Sequence, residues 1–257
     1  MKQETYNQVR DYRNRLFPGY DSPLSSTDPE FVEHYDRFAF GVVPASDDLD
    51  DRTRLMAIMA ALIGCQGLDM FKAMTKGALN VGVTPVEAKE IVYQSTAYVG
   101  MGRMLPYLYA VNELLDHRLV AQPLEKQATV EEDERLEAGV QKQVDLFGPQ
   151  MTDAYQTGPE DTRHIRRWLA ENCFGDYYTR TGLTDAQREM ITFCFLAAQG
   201  GCEPQLVSHA QANMRLGNDR AFLIKVVSQC LPYVGYPRSL NALACIDEAC
   251  EAMDTEQ

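Results

Sequence analysis

Several things are scarce in this chain of 257 residues, and each scarcity removes a class of function. Positive charge comes first: 24 Lys and Arg stand against 37 Asp and Glu, a formal net charge of −13. That balance repels phosphate backbones and anionic membrane surfaces, and no Lys/Arg cluster reverses it locally, so no nucleic acid and no membrane partner is expected. Long apolar runs are also missing. The longest, Leu55 to Cys65, is about half of what a bilayer span requires and reads as a buried helix. Met1-Lys2-Gln3-Glu4-Thr5 leads directly into polar sequence with no apolar signal core, so secretion is not expected. The seven cysteines (65, 173, 194, 202, 230, 245 and 250) contain no close CxxC pair, and several sit in apolar helical patterns, which suits a reducing cytoplasm. No Cys/His cluster has metal-ligand spacing and no glycine-rich loop follows a strand, so neither metal nor dinucleotide is indicated and no cofactor is expected.

What is present is a globular composition, 45% hydrophobic and 24% charged, and an internal repeat. Gly82 and Tyr98-Val99-Gly100 recur as Gly217 and Tyr233-Val234-Gly235, both at an offset of 135. Arg54 matches Arg188, and Phe40-Gly41 matches Phe174-Gly175, at an offset of 134. Leu16-Phe17 answers Leu146-Phe147 at 130. Ordered matches over so long a stretch indicate a duplication, with a first unit at 1–122, a polar linker at 123–132 and a second unit at 133–257. Apolar residues recur at three and four and no period-2 runs appear, so each unit is all-α. Helices are expected near 3–16, 28–39, 50–64, 67–81, 85–98 and 103–121, then 130–146, 160–172, 185–199, 203–216, 219–231 and 237–252. Thr84-Pro85-Val86-Glu87 and Thr184-Asp185-Ala186-Gln187 are helix starts of the capping-box kind, and Gly82 and Gly217 end the helices before them.

The second copy carries a family likeness. Arg188-Glu189-Met190-Ile191, Ala197-Ala198, Cys202, His209, Gly217 and the run Tyr233-Val234-Gly235-Tyr236-Pro237-Arg238 together resemble the carboxymuconolactone decarboxylase-like family, which shares the alkyl hydroperoxide reductase D-like helical fold. The first copy resembles it through Arg54, Tyr98-Val99-Gly100 and the Gly-Val-Thr-Pro-x-Glu start at 82–87. The resemblance implies an all-α fold, trimeric or hexameric assembly, and either cofactor-free decarboxylation or thiol-based peroxide chemistry. Three departures fall together in the first copy: Leu55 stands for the Glu, Met74 for the His and Gly67 for the Cys. That copy is expected to lack a reactive site of its own. In the second copy the peroxide-reducing pattern Cys-x-x-Cys-x-x-x-His reads Cys202, Gln205 and His209, so half of the dithiol is gone.

On these residues His209 is the candidate proton carrier, since imidazole takes and gives a proton near neutral pH. Glu189 is expected to orient it, and Arg188 to bind a substrate carboxylate through its planar guanidinium. Cys202, after Gly200-Gly201 at a helix start, is a candidate thiolate. It stands seven residues from His209, roughly 10 Å along a straight helix and beyond direct hydrogen-bond reach. Each residue also has a plain reading: a small buried Cys, an Arg–Glu surface pair, a satisfied His. Tyr98 and Tyr233 occur in both copies and are therefore assigned to packing. By resemblance the first reading is a decarboxylase acting on a small carboxylated lactone or related acid. The second is single-thiol peroxide reduction through Cys202, and the third a non-catalytic helical assembly whose His209 would sit among apolar groups. A small-molecule substrate is expected, and three two-unit chains would form a pseudo-hexamer.

Overall fold

The computed structural model describes residues 3–20 and 22–255, and among these no residue is in a strand. The first copy supplies α1 (Gln3–Leu16), α2 (Pro29–Arg37), α3 (Asp51–Gly64), α4 (Leu68–Asn80), α5 (Pro85–Val99) and α6 (Met101–His117). The second supplies α7 (Arg135–Phe147), α8 (Arg163–Trp168), α9 (Asp185–Gln199), α10 (Glu203–Arg215), α11 (Arg220–Val234) and α12 (Tyr236–Thr255). Each element of one copy has its counterpart six places on, as the repeat requires. Local chemistry fixes the starts. Thr84 and Thr184 form reciprocal capping boxes with Glu87 and Gln187, and the Asp50 and Asp219 carboxylates accept from the backbone amides of Thr53 and Phe222.

The expected helices near 28–39 and 160–172 differ from what forms. Each runs into a wider π-helical stretch, Phe38–Val42 after α2 and Leu169–Tyr178 after α8. A turn with i to i+5 bonding shifts the apolar repeat away from 3.6, so periodicity fades there while the helix continues. Glycine accounts for the position of both stretches. A Cβ on Gly175 would lie 2.4 Å from the Arg135 carbonyl oxygen, and one on Gly139 would lie 1.9 Å from that of Ala170, so α7 and the second π stretch touch backbone to backbone. In the first copy Gly41 performs the same service against Val9 of α1.

The two copies share one core. Every residue of α3 from Arg54 to Gly64 is buried, as is α9 from Arg188 to Leu196, because these two helices lie against each other at the centre of the molecule. A Cβ on Gly64 would come 2.6 Å from the Phe195 carbonyl oxygen, which shows how closely they cross. Around them the copies exchange partners: α5 packs on α9, and α11 packs on α3. The linker thus separates the copies in sequence but not in packing. No described helix is long and apolar enough to cross a membrane.

Gly139→Ala is expected to lower stability by about 1–3 kcal/mol or more, since neither backbone can yield without moving the π stretch. Urea denaturation measures it, and an unchanged midpoint would show that the crossing is not tight.

Candidate active site

Glu189 sits in the second turn of α9, wholly buried, and α10 crosses at that level. His209, on α10, places its Nδ1 2.7 Å from Glu189 Oε2. A carboxylate accepts, so it holds the imidazole proton on Nδ1 and leaves the lone pair of the neutral ring on Nε2. Nε2 has no hydrogen-bond partner among the described residues, and His209 is 7% exposed where Glu189 is 0%. The carboxylate is the buried end of the pair and the imidazole its outward end. Asn213, one turn beyond His209, donates to the backbone oxygens of Glu189 at 2.9 Å and His209 at 2.8 Å, clamping α9 to α10 at this level.

The second carboxylate oxygen is also used. Tyr178, the last residue of the π stretch, donates from its hydroxyl to Glu189 Oε1 at 2.8 Å. The Tyr178 hydroxyl also meets that of Tyr98 at 2.8 Å and that of Thr192 at 2.9 Å. Since its one proton goes to the carboxylate, it accepts from these neighbours, and the donors run Tyr98 to Tyr178 to Glu189. Burial raises the pKa of both tyrosines well above the ordinary phenol value, so both stay protonated donors. The ring edges of Tyr98 and Phe147 enclose the imidazole, with centroids at 5.6 and 5.3 Å.

Tyr98 is the residue the sequence reading misplaced. It belongs to the first copy, yet α5 carries it into the His209 cluster of the second. Tyr233 makes the reciprocal crossing and donates to Met74 Sδ at 3.7 Å, at the position that corresponds to His209. Occurrence in both copies thus reflects an exchanged placement. Tyr178 and Asn213 were not anticipated either. Asn213 had a signal, being four residues after His209 on the same helix face.

Of the other two sequence candidates, Cys202 lies apart from this cluster and Arg188 meets it only indirectly, through Gln94 and Thr192. Arg188 is completely buried, and its guanidinium faces the first copy. It donates to Gln94 Oε1 at 2.7 Å, Glu90 Oε2 at 3.1 Å and the carbonyls of Arg180 and Thr181 at 2.8 and 3.0 Å. Only its Nε lacks a partner, and that atom is buried as well. These partners, on α5 and at residues 180 and 181, use all of its donor nitrogens but one, and none of them is Glu189 or His209. Cys202 begins α10 as expected, but its thiol lies against the end of α9 and donates to the Leu196 carbonyl at 3.4 Å. Burial raises its pKa above the ordinary thiol value, and the carbonyl end of α9 favours the neutral form further. The thiol nearest the cluster is Cys173, 3.8 Å from the Tyr98 hydroxyl, and burial pushes its pKa up to about 12.

A model of the carboxymuconolactone decarboxylase family matches residues 29–113 and 164–248, one match in each copy. The chain belongs to this family. The matched segments run from α2 into α6 and from α8 into α12, so they include Glu189 and His209 and the counterparts Leu55 and Met74. A solved structure from Burkholderia xenovorans LB400, named for a gamma-carboxymuconolactone decarboxylase subunit, superposes with a TM-score of 0.50 at 22% identity and covers 96% of this chain and 98% of its own. At that identity the likeness speaks for the fold alone. No curated protein matches the chain.

Two outcomes test the placements of Arg188 and Cys202. Arg188→Met is expected to lower stability by about 3 kcal/mol in urea denaturation, because it opens a buried ion pair; wild-type stability with an effect confined to substrate affinity would restore an anchoring role. Iodoacetamide labelling of Cys202, followed by peptide mass spectrometry, is expected to be slower at neutral pH than that of an exposed free cysteine and to keep rising with pH after the exposed thiol has levelled off, as a raised thiol pKa dictates. Rapid labelling at pH 7 would contradict it.

Proposed function

We propose that this chain is a cofactor-independent decarboxylase acting on a small carboxylated lactone or a related acid, with His209 as the proton carrier. The observation that carries this reading is the buried Glu189–His209 pair with Nε2 unpartnered. The family match supports the reaction class. In the reaction the bond between the carboxylate carbon and the adjacent ring carbon breaks, carbon dioxide departs, and the electron pair spreads into the neighbouring carbonyl as an enolate-type anion. His209, having taken a proton from solvent at Nε2, delivers it to carbon and returns to the neutral ring with its remaining proton on Nδ1. Glu189 stabilises the imidazolium and holds the ring, and Tyr178 and Tyr98 keep the carboxylate oriented by donating to its other oxygen. Tyr178 and Tyr98 act through Glu189 and are positioning residues. Arg188 takes no part in this scheme.

The single-thiol reading finds less support, because Cys202 is held as a neutral thiol away from His209. A non-catalytic module with His209 in apolar surroundings is disfavoured by the carboxylate at its Nδ1. The name of the Burkholderia structure, a subunit, agrees with assembly, and we place three chains in a pseudo-hexameric ring of six units.

Incubation with gamma-carboxymuconolactone, followed by loss of its absorbance and release of carbon dioxide, tests the reading. His209→Gln is expected to reduce turnover by about 10²–10⁴-fold with the fold intact. Tyr178→Phe should cost less and shift the pH profile of turnover, which a purely structural tyrosine would not do. Turnover unchanged in His209→Gln would end the proposal. Light scattering is expected to give about three times the 29.0 kDa chain mass, and a monomer would refute the ring.

A further inference from the structure

The first copy, having lost its acid–base residues, retains a cavity of about 1070 Å³ at the corresponding place. Met74, standing where the second copy has His209, lines it, and Tyr233 closes one side from the other copy. The interior is apolar, with Phe17, Phe40, Leu62 and Met70 on its walls. The Tyr35 hydroxyl is buried here and interacts with the Tyr233 hydroxyl, with no partner at full hydrogen-bond geometry. A hydroxyl paired so loosely has capacity left for a hydrogen bond with a ligand.

The lining carries four cations, Arg13, Lys72, Lys76 and Arg118, against two acids, Asp36 and Asp69, although the chain as a whole is acidic. Of its cations, Arg13 pairs with Asp36 at 2.7 Å, and Lys72 stands 3.6 Å from Glu113. Arg118 has only neutral partners, donating to the Lys76 carbonyl at 3.1 Å and to Asn80 Oδ1 at 2.6 Å. The exposed Lys76 ammonium has no acidic partner within ion-pair distance among the described residues. Two cations without counter-charges, one helical turn from an apolar chamber, fit a ligand with an anionic head and a hydrophobic body.

We infer that the first copy is a binding site for an amphiphilic carboxylate, its apolar body in the Met74 chamber within reach of Tyr35 and its head at Lys76 and Arg118. The site lacks a proton carrier, since Leu55 and Met74 replace the Glu and His, so it binds without turning its ligand over. It stands apart from the decarboxylase reading, which concerns the His209 cluster alone.

Calorimetric titration of the full chain with decanoate, and separately with decan-1-ol, tests this. Saturable binding of both is expected, decanoate the tighter. The double variant Lys76→Glu, Arg118→Gln should weaken decanoate about tenfold and leave decan-1-ol unchanged. Ala73→Trp, which fills the chamber, should abolish both, with circular dichroism confirming the fold. His209→Gln should bind decanoate as the wild type does. The inference is overturned if decanoate gives no saturable heat, if binding survives in Ala73→Trp, or if the charge variant weakens both probes equally. It is also overturned if decanoate fails to bind while the charge variant changes the assembled mass, for then this face is an interface between copies of the chain.

Discussion

A carboxylate removed from water survives only if its charge is paired and its oxygens are hydrogen-bonded, and Glu189 is removed from water entirely. Its two oxygens are each met by a different element: His209 of α10 at Oε2, and Tyr178 at the end of the π stretch at Oε1. To satisfy one buried charge the fold must therefore bring together α9, α10 and the segment after α8, and Tyr98 adds α5 from the other copy. The tight glycine crossing of α7 on the π stretch seats the segment that ends in Tyr178. The contacts that satisfy Glu189 are also contacts that hold the fold together. A hydrogen bond aimed at a buried charge is worth more than its neutral equivalent, and here it also holds the tautomer that leaves Nε2 available.

The residue beside Glu189 binds the copies together. Arg188 lies in the layer between α9 and α5, where Glu90, Gln94, Thr192 and Arg180 form one buried polar group. Desolvation alone would lower the Arg188 pKa, and Glu90 counters it. Such a network favours one pairing of the helices over others, because any other pairing leaves charges unpaired. It sits between copies and not within one. With α11 on α3 as its counterpart, each copy completes the core of the other. The first copy thus supplies the second with Tyr98 and with the buried acid Glu90.

Much of this was legible in the sequence because it is local. Thr84 with Glu87 and Thr184 with Gln187 announce helix starts within four residues, and the offset of 135 between the two Tyr-Val-Gly turns announces the duplication without any knowledge of packing. The pairing of Glu189 with His209 came from family likeness, and neither spacing nor periodicity would have supplied it. What stayed hidden depends on which helices touch. Tyr98 read as packing because it recurs, and only the exchange of α5 and α11 between copies gives the recurrence its meaning. Tyr178 lies beyond a π stretch that blurs the helical period. The burial of Arg188 was hidden because its partners Glu90 and Gln94 stand on α5 of the other copy, more than 90 residues away in sequence.

The differences between the copies also have an energetic logic. Leu55, Met74 and Gly67 stand at the positions of Glu189, His209 and Cys202, and the first two are coupled. If the His were lost alone, a buried carboxylate would be left facing a thioether, a cost of several kcal/mol unless it took up a proton. If the Glu were lost alone, the imidazole would keep neither its tautomer nor its orientation. Once either is replaced, the cheapest neighbouring change is replacement of the other by something apolar, and Leu55 and Met74 are both buried hydrophobic residues. Tyr233, the counterpart of Tyr98, then has no relay to a carboxylate to join; its OH turns to the Met74 sulfur, a weak acceptor, beside the Tyr35 hydroxyl. The polar residues of the site therefore stand or fall as a unit, while the helices around them, held by the shared core, remain.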